Sequence, residues 1–149
     1  MKLKVFKVRE NAKLPVRAHT TDAGADIFYC PEAEQPLIVY ENESELIPTG
    51  LKIGVPAGYM LEIKNKSGVA FKRSLVVGAC VVDSGYDGEV FVNLHNIGTD
   101  RQTILPGEKV AQAVLVPIVE AEFEEVSVDD VYGTDTARGS GALGSTGDF

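Results

Sequence analysis

Over most of the chain apolar side chains recur at every second position, the period of a strand whose successive side chains point to opposite faces. Leu3, Val5 and Val8 begin a short first strand. Leu51, Ile53 and Val55 alternate with other residues up to Pro56, and Leu61 and Ile63 continue after the Ala57-Gly58 turn. Val90, Val92 and Leu94 share one face of a later strand whose other face carries Phe91, Asn93 and His95. Val110 to Ile118 is apolar on both faces, which predicts a buried central strand. Pro and Gly punctuate these runs at roughly ten-residue spacing. Ser67 to Ser74 is the one stretch that reads as a short helix. The pattern predicts an all-β barrel or jelly roll.

The alternation stops near Asp129, and residues 133–149 hold five glycines with few apolar side chains. Two domains of unequal order are therefore expected: residues 1–130 as a β-barrel and 131–149 as a flexible glycine-rich arm. By composition such an arm is either a solvated tail or a lid that orders over a ligand.

Composition narrows the function classes. A chain of 149 residues, 44% of them hydrophobic, can bury one core without disulfides or structural metal. No apolar run approaches the ~18–20 residues of a membrane span, so no membrane partner is expected. The opening MKLKVFKVRE lacks the apolar core of a signal peptide, which predicts an intracellular protein. A net charge of −8 argues against nucleic acid as a partner, because a backbone binder needs a basic face. Cys30 and Cys80 form no CxxC pair, and His19 and His95 are far apart in sequence. Zinc spacing is absent, and two buried free thiols are expected.

Five turn-like segments carry the candidate chemistry: Thr21 to Ile27, Lys66 to Ala70, Val82 to Glu89, Pro106 to Gln112, and Arg138 to Gly147. Each has an ordinary reading. Asp83 to Gly88 suits a hairpin turn, Ser67 can cap the helix behind it, Gln112 can bond a neighbouring strand, and Lys66 and Arg138 suit a solvated surface. Together they supply what a triphosphate site needs. Ser67, Gln112, Arg138, Ser145 and Thr146 are donors for phosphate oxygens. Asp22, Asp26 and Asp83 are hard oxygen ligands of the kind Mg²⁺ prefers. A carboxylate can also orient and deprotonate an attacking water.

In order and spacing, from about Ala18 to Gly147, these segments resemble the five motifs of the trimeric dUTPase family. The most specific part is Asp-Ser-Gly-Tyr-Asp-Gly-Glu, from Asp83 to Glu89, followed by Arg-Gly-x-Gly-x-x-Gly-Ser-Thr-Gly, from Arg138 to Gly147. The resemblance implies a jelly-roll-like homotrimer with three active sites, each assembled from motifs of all three subunits. It implies dUTP as substrate, Mg²⁺ as cofactor, and dUMP and pyrophosphate as products. Such an activity limits uracil in DNA and supplies dUMP for thymidylate synthesis.

By the same resemblance Asp83 deprotonates the water that attacks the α-phosphorus, and Asp26 holds Mg²⁺ through waters. Tyr86 packs on the deoxyribose and leaves no room for a 2′-hydroxyl. The hairpin from Cys80 to Val92 reads uracil through its backbone, with Cys80, Val82 and Asn93 as contacts. Lys66, Ser67, Gly68 and Gln112 serve the α- and β-phosphates. Arg138, Leu143, Gly144, Ser145 and Thr146 close over the nucleotide. Four positions depart from the family pattern: Lys66 stands for Arg, Cys80 for Gly, Asp87 for Arg or Gln, and Leu143 for the Phe that stacks on uracil.

Two rivals compete. The dCTP deaminase family shares the fold, but Asn93 occupies the place of its catalytic Glu, and an amide is no general acid or base. A non-catalytic interaction protein on the same scaffold is opposed by the retained Asp83, Gln112 and Arg138.

Overall fold

The computed structural model describes residues 1–147; positions 148 and 149 of the expected arm lie outside the described residues. The chain forms two compact units, Met1–Val119 and Glu120–Phe149.

The first unit is built from short antiparallel strands. In chain order these are β1 (Lys4–Lys7), β2 (Ala25–Phe28), β3 (Leu37–Val39), β4 (Ser44–Pro48), β5 (Leu51–Gly54) and β6 (Tyr59–Lys64). After helix α1 (Ser67–Arg73) come β7 (Leu75–Val77), β8 (Val81–Val82), β9 (Phe91–Asn96), β10 (Gln102–Ile104) and β11 (Lys109–Pro117). They pair as a four-stranded sheet β2-β11-β6-β8, a three-stranded sheet β4-β9-β7, and the pairs β1-β5 and β10-β3. The fold is all-β with one short α-helix, as the alternation predicts.

Directly paired residues of antiparallel strands point to the same face, so the register sorts the four-stranded sheet. Ile27, Ala111, Ala113, Ile63 and Leu61 line its inner face and are buried. Asp26, Gln112 and Lys64 form one row on its outer face. Strand β9 alternates as read from the sequence: Val92 and Leu94 are fully buried, while Phe91 and His95 are exposed.

Strand β11 holds the expected central place but departs from it in two ways. A bulge between Lys109 and Ala111 breaks the register against β2, so Val110 and Ala111 are both buried in succession. Val114 and Val116, on the outer face, are only half-buried in the single chain.

At the start of helix α1 the ordinary reading of Ser67 as a cap does not hold. Lys66 is the N-cap residue, and no side chain caps the turn. The helix ends at Ser74, whose left-handed backbone (φ 53°) brings its N–H 3.1 Å from the Ala70 carbonyl. Arg73 ties the last turn to the β10–β11 region, donating to Gln102 Oε1 (3.1 Å), Glu108 Oε2 (3.0 Å) and the Thr103 carbonyl (2.6 Å).

The second unit holds one 3₁₀ turn, Val128–Asp130, in which Ser127 Oγ donates to Asp130 Oδ2 at 2.7 Å. Tight turns follow, closed by Gly139 N–H on the Thr136 carbonyl (3.1 Å) and Ser145 N–H on the Ala142 carbonyl (2.7 Å). Among the described residues no helix is long and apolar enough to cross a membrane.

Candidate active site

The segment from Asp83 to Glu89 forms the loop between β8 and β9. Gly85 adopts φ 85°, a conformation that favours glycine, and the Tyr86 N–H closes the turn on the Asp83 carbonyl at 3.3 Å. The Tyr86 ring folds back across Gly88, where an added Cβ would collide with the phenol. Its hydroxyl donates to the Glu89 carbonyl at 2.9 Å. Behind the loop lies a cavity of about 220 Å³, lined by Cys80, Val82, Asp83, Tyr86 and Asn93 among others. That volume is below the ~300–1,000 Å³ typical of a whole ligand pocket and suits a single ring.

The backbone of β8 is held by β6, whose Ile63 N–H donates to the Cys80 carbonyl at 2.7 Å. Asn93 Oδ1 accepts the Ala79 N–H at 3.0 Å and lies 3.1 Å from His95 Nε2. Cys30 is buried as expected, with its thiol 3.3 Å from Asn11 Oδ1. Cys80 is not: it is half-buried, because the hairpin opens into the cavity at that point.

A second group gathers around Asp26. Its carboxylate is buried, and Lys66 Nζ donates to Oδ1. Lys109 Nζ stands 2.7 Å from Oδ2 as an ion pair, although Oδ2 receives no well-directed hydrogen bond. The β11 bulge matters here, since Lys109 pairs with Phe28 on the same face as Asp26. Gln112 lies beside Asp26 in the register, and its Nε2 donates to the Asn65 carbonyl at 2.9 Å. Gly24 packs closely on Gln112, whose amide would have to shift to admit a Cβ there. Ser67 and Gly68, directly after Lys66, are exposed.

Burial raises the Asp26 pKa, and the two lysines outweigh it, holding the carboxyl below its ordinary value. A depressed folded-state pKa means stabilisation that is present above the unfolded value of about 4. It is lost as pH falls through the depressed native value. Asp26→Asn should therefore destabilise the protein at pH 7 by about 1–3 kcal/mol, with the gap to wild type shrinking below about pH 4. Urea unfolding of both proteins at pH 7 and pH 3 checks this; a gap independent of pH would refute it.

The two groups sit toward opposite edges of one sheet. Asp26 is on β2 and Val82 on β8, three strand spacings apart, or about 14 Å. They also use different faces, for Asp26 and Gln112 share the outer face while Val82 pairs with the inward Leu61. One chain therefore assembles a ring-sized pocket and a separate charged cluster, without merging them. Arg138, Leu143, Gly144, Ser145 and Thr146 belong to the second unit. There Arg138 Nε donates to the Gly141 carbonyl at 3.0 Å, and the Leu143 side chain is fully exposed. No local pattern marks Lys109 for this cluster. It lay within the Pro106–Gln112 segment, but only the bulge reveals that it reaches Asp26.

A dUTPase family profile matches residues 10–147. The deoxyuridine 5′-triphosphate nucleotidohydrolase of Gloeothece citriformis is 40% identical over 149 residues, covering 99% of this chain and 97% of that one. Its namesake from Chlamydia caviae is 37% identical over 147 residues, covering 97% of each. A mutant dUTPase of Staphylococcus bacteriophage 80alpha, solved with dUpNHpp, superposes with a TM-score of 0.82 at 28% identity and covers 98% of both chains. A mutant dUTPase from phage phi11 of S. aureus, described as coordinating a structural Mg(II) ion, matches with a TM-score of 0.76 at 29% identity over 85% of this chain and 97% of that chain. Full-length sequence similarity and a shared fold agree: the chain belongs to the dUTPase family.

Proposed function

We propose that the chain hydrolyses dUTP to dUMP and pyrophosphate by attack of water on the α-phosphorus, with Asp83 as general base. The observation that carries this reading is the ring-sized cavity between β8 and β9, with Asp83 and Tyr86 at its margin. Cys80, Val82 and Asn93 form the wall that receives uracil, and Tyr86 presents its ring to the deoxyribose. Asp83 is exposed, as a group that must meet water and substrate has to be. The reaction keeps uracil nucleotides out of DNA and yields dUMP.

The phosphates are served by the cluster around Asp26. Lys66 and Lys109 bring two positive charges to one carboxylate, leaving a net positive site in an acidic chain. Gln112, Ser67 and Gly68 add polar contacts. Because the base pocket and the charged cluster lie toward opposite sheet edges, a complete site draws them from different subunits. A homotrimer satisfies that requirement. The arm then supplies Arg138, Ser145 and Thr146 to the γ-phosphate, with Leu143 and Gly144 over the base.

Mg²⁺ fits this donor set in a limited way. Asp26 is a hard oxygen ligand, but lysines neighbour both of its oxygens. Among the described residues no group of three His, Cys, Asp or Glu side chains gathers around a common point. An ion held mainly by substrate oxygens and waters needs no such cage of side chains. Bound there, Mg²⁺ would offset the charge of the triphosphate. Asp26 would hold one of its waters.

Pyrophosphate release from dUTP, dCTP and dTTP tests the reading, with dUTP expected to be strongly preferred. No release from dUTP would sink it, and ammonia from dCTP would favour a deaminase. Against the deaminase, Asn93 has no titratable group. Leu143 covers uracil without a π face; base–aromatic stacking is worth roughly 1–3 kcal/mol by alanine substitution in single-strand binders. Leu143→Phe should thus tighten binding of a non-hydrolysable dUTP analogue, on the order of tenfold. Unchanged affinity in a calorimetric titration would reject that role.

A further inference from the structure

We propose that Arg9 is a positioning residue for the catalytic hairpin, acting through Glu89; the inference rests on the role given to Asp83. Glu89 closes the loop that begins at Asp83. Its carboxylate receives both terminal nitrogens of Arg9, one of them at 3.1 Å on Oε2 and the other on Oε1. Oε1 also accepts the Gly50 N–H at 2.7 Å, and Arg9 Nε donates to the Cys30 carbonyl at 3.1 Å. One carboxylate thus joins the segment after β1, the turn between β4 and β5, and the end of the hairpin.

This junction is built to be rigid. The Arg9 and Glu89 side chains are only 15% and 14% exposed, so each charge depends on the other. A buried pair of this kind adds little net stability, yet breaking it by removing one partner is costly. Gly50 has φ 70°, and a Cβ there would lie 2.8 Å from that of Ala12 and 3.0 Å from Cys30 Sγ. The turn that presents its N–H to Glu89 therefore has no room for another residue. Beyond Glu89, Val90 N–H meets the Leu51 carbonyl at 2.8 Å, and Thr49 Oγ1 donates to the Val90 carbonyl at 2.6 Å.

The tip of the loop lacks comparable support. Residues 83–87 are all exposed, and among the described residues their side-chain tie outside the loop is an exposed Lys52–Asp87 contact at 3.3 Å. Exposed pairs of that kind hold weakly. The tip is steadied from its Glu89 end, and the hydrogen bond from the Tyr86 hydroxyl to the Glu89 carbonyl carries that anchoring to the ring that faces substrate. Arg9 fixes Glu89, Glu89 holds Tyr86 through its carbonyl, and the Tyr86 N–H on the Asp83 carbonyl passes that constraint to the residue that meets the water. The β8 side of the pocket is held separately by β6.

Arg9→Met, assayed at a temperature where it is fully folded, should lower kcat for dUTP on the order of tenfold or more, since small misplacements of reacting groups are costly. KM should change less, because the β8 wall of the base pocket is anchored elsewhere. Arg9→Lys should fall between Met and wild type. If Arg9→Met does not fold, Glu89→Gln keeps an acceptor for Gly50 and should shift kcat in the same direction. Amide exchange at Tyr86 and Val90 should quicken in the variants, a readout independent of turnover. A folded Arg9→Met with kcat within about twofold of wild type, or unchanged exchange at those amides, would overturn the proposal. A wild-type protein inactive on dUTP would instead remove the functional reading, while the exchange data would still decide whether Arg9 holds the hairpin.

Discussion

Asp83→Asn should lower turnover on dUTP by about 10²-fold or more, since general-base catalysis contributes roughly 10²–10⁴-fold. The substitution is nearly isosteric and replaces a carboxylate with an amide that takes no proton. Structure should survive it. Asp83 is exposed, its carbonyl rather than its carboxylate closes the turn on Tyr86 N–H, and the hairpin is anchored at Glu89. Single-turnover pyrophosphate release beside far-ultraviolet circular dichroism separates the two effects. A near-normal rate in a folded variant would strip Asp83 of its assigned role.

Truncation after Ala137 should leave the first unit folded and reduce kcat/KM for dUTP on the order of 10²-fold or more. The estimate follows from one charge-assisted contact worth up to about 3 kcal/mol, which converts to roughly two decades. The removed segment carries Arg138, Ser145 and Thr146, the donors assigned to the γ-phosphate. None of its described residues belongs to the buried core. The thermal midpoint of the first unit should therefore hardly move. Loss of the folded state on truncation would contradict the separation of arm from barrel, and full activity would remove the arm from the site.

Much of the frame could be read from the order of residues. Val92 and Leu94 are inward and Phe91 and His95 outward because a strand has a period of two, and burial enforces it. The Asp83–Glu89 turn was legible because glycine relieves strain at a positive φ, as Gly85 does. Other readings turned on packing that local pattern does not encode. Ser67 does not cap α1, because the chain enters the helix with Lys66 in the extended cap position. Cys80 is not a buried thiol, because the segment leading into β8 lines an opening rather than the core. Gln112, to which the resemblance assigns a phosphate contact, donates its amide to the Asn65 carbonyl just past β6, a partner that local pattern does not reveal.

Sequence alone showed the all-β class, the longer alternating strands such as β5, β6, β9 and β11, and the short helix. Those follow from local rules, side-chain period and turn chemistry; the roles of the motif residues come from the family resemblance. Tertiary structure decided what depends on segments distant in the chain. Lys109 reaches Asp26 only because a bulge turns it to that face, and Arg9 finds Glu89 across eighty positions. It also decided that the cavity beside β8 and the charged cluster around Asp26 stay apart within one chain. Strand order sets that separation, and strand order is a property of pairing between remote segments that no local pattern encodes.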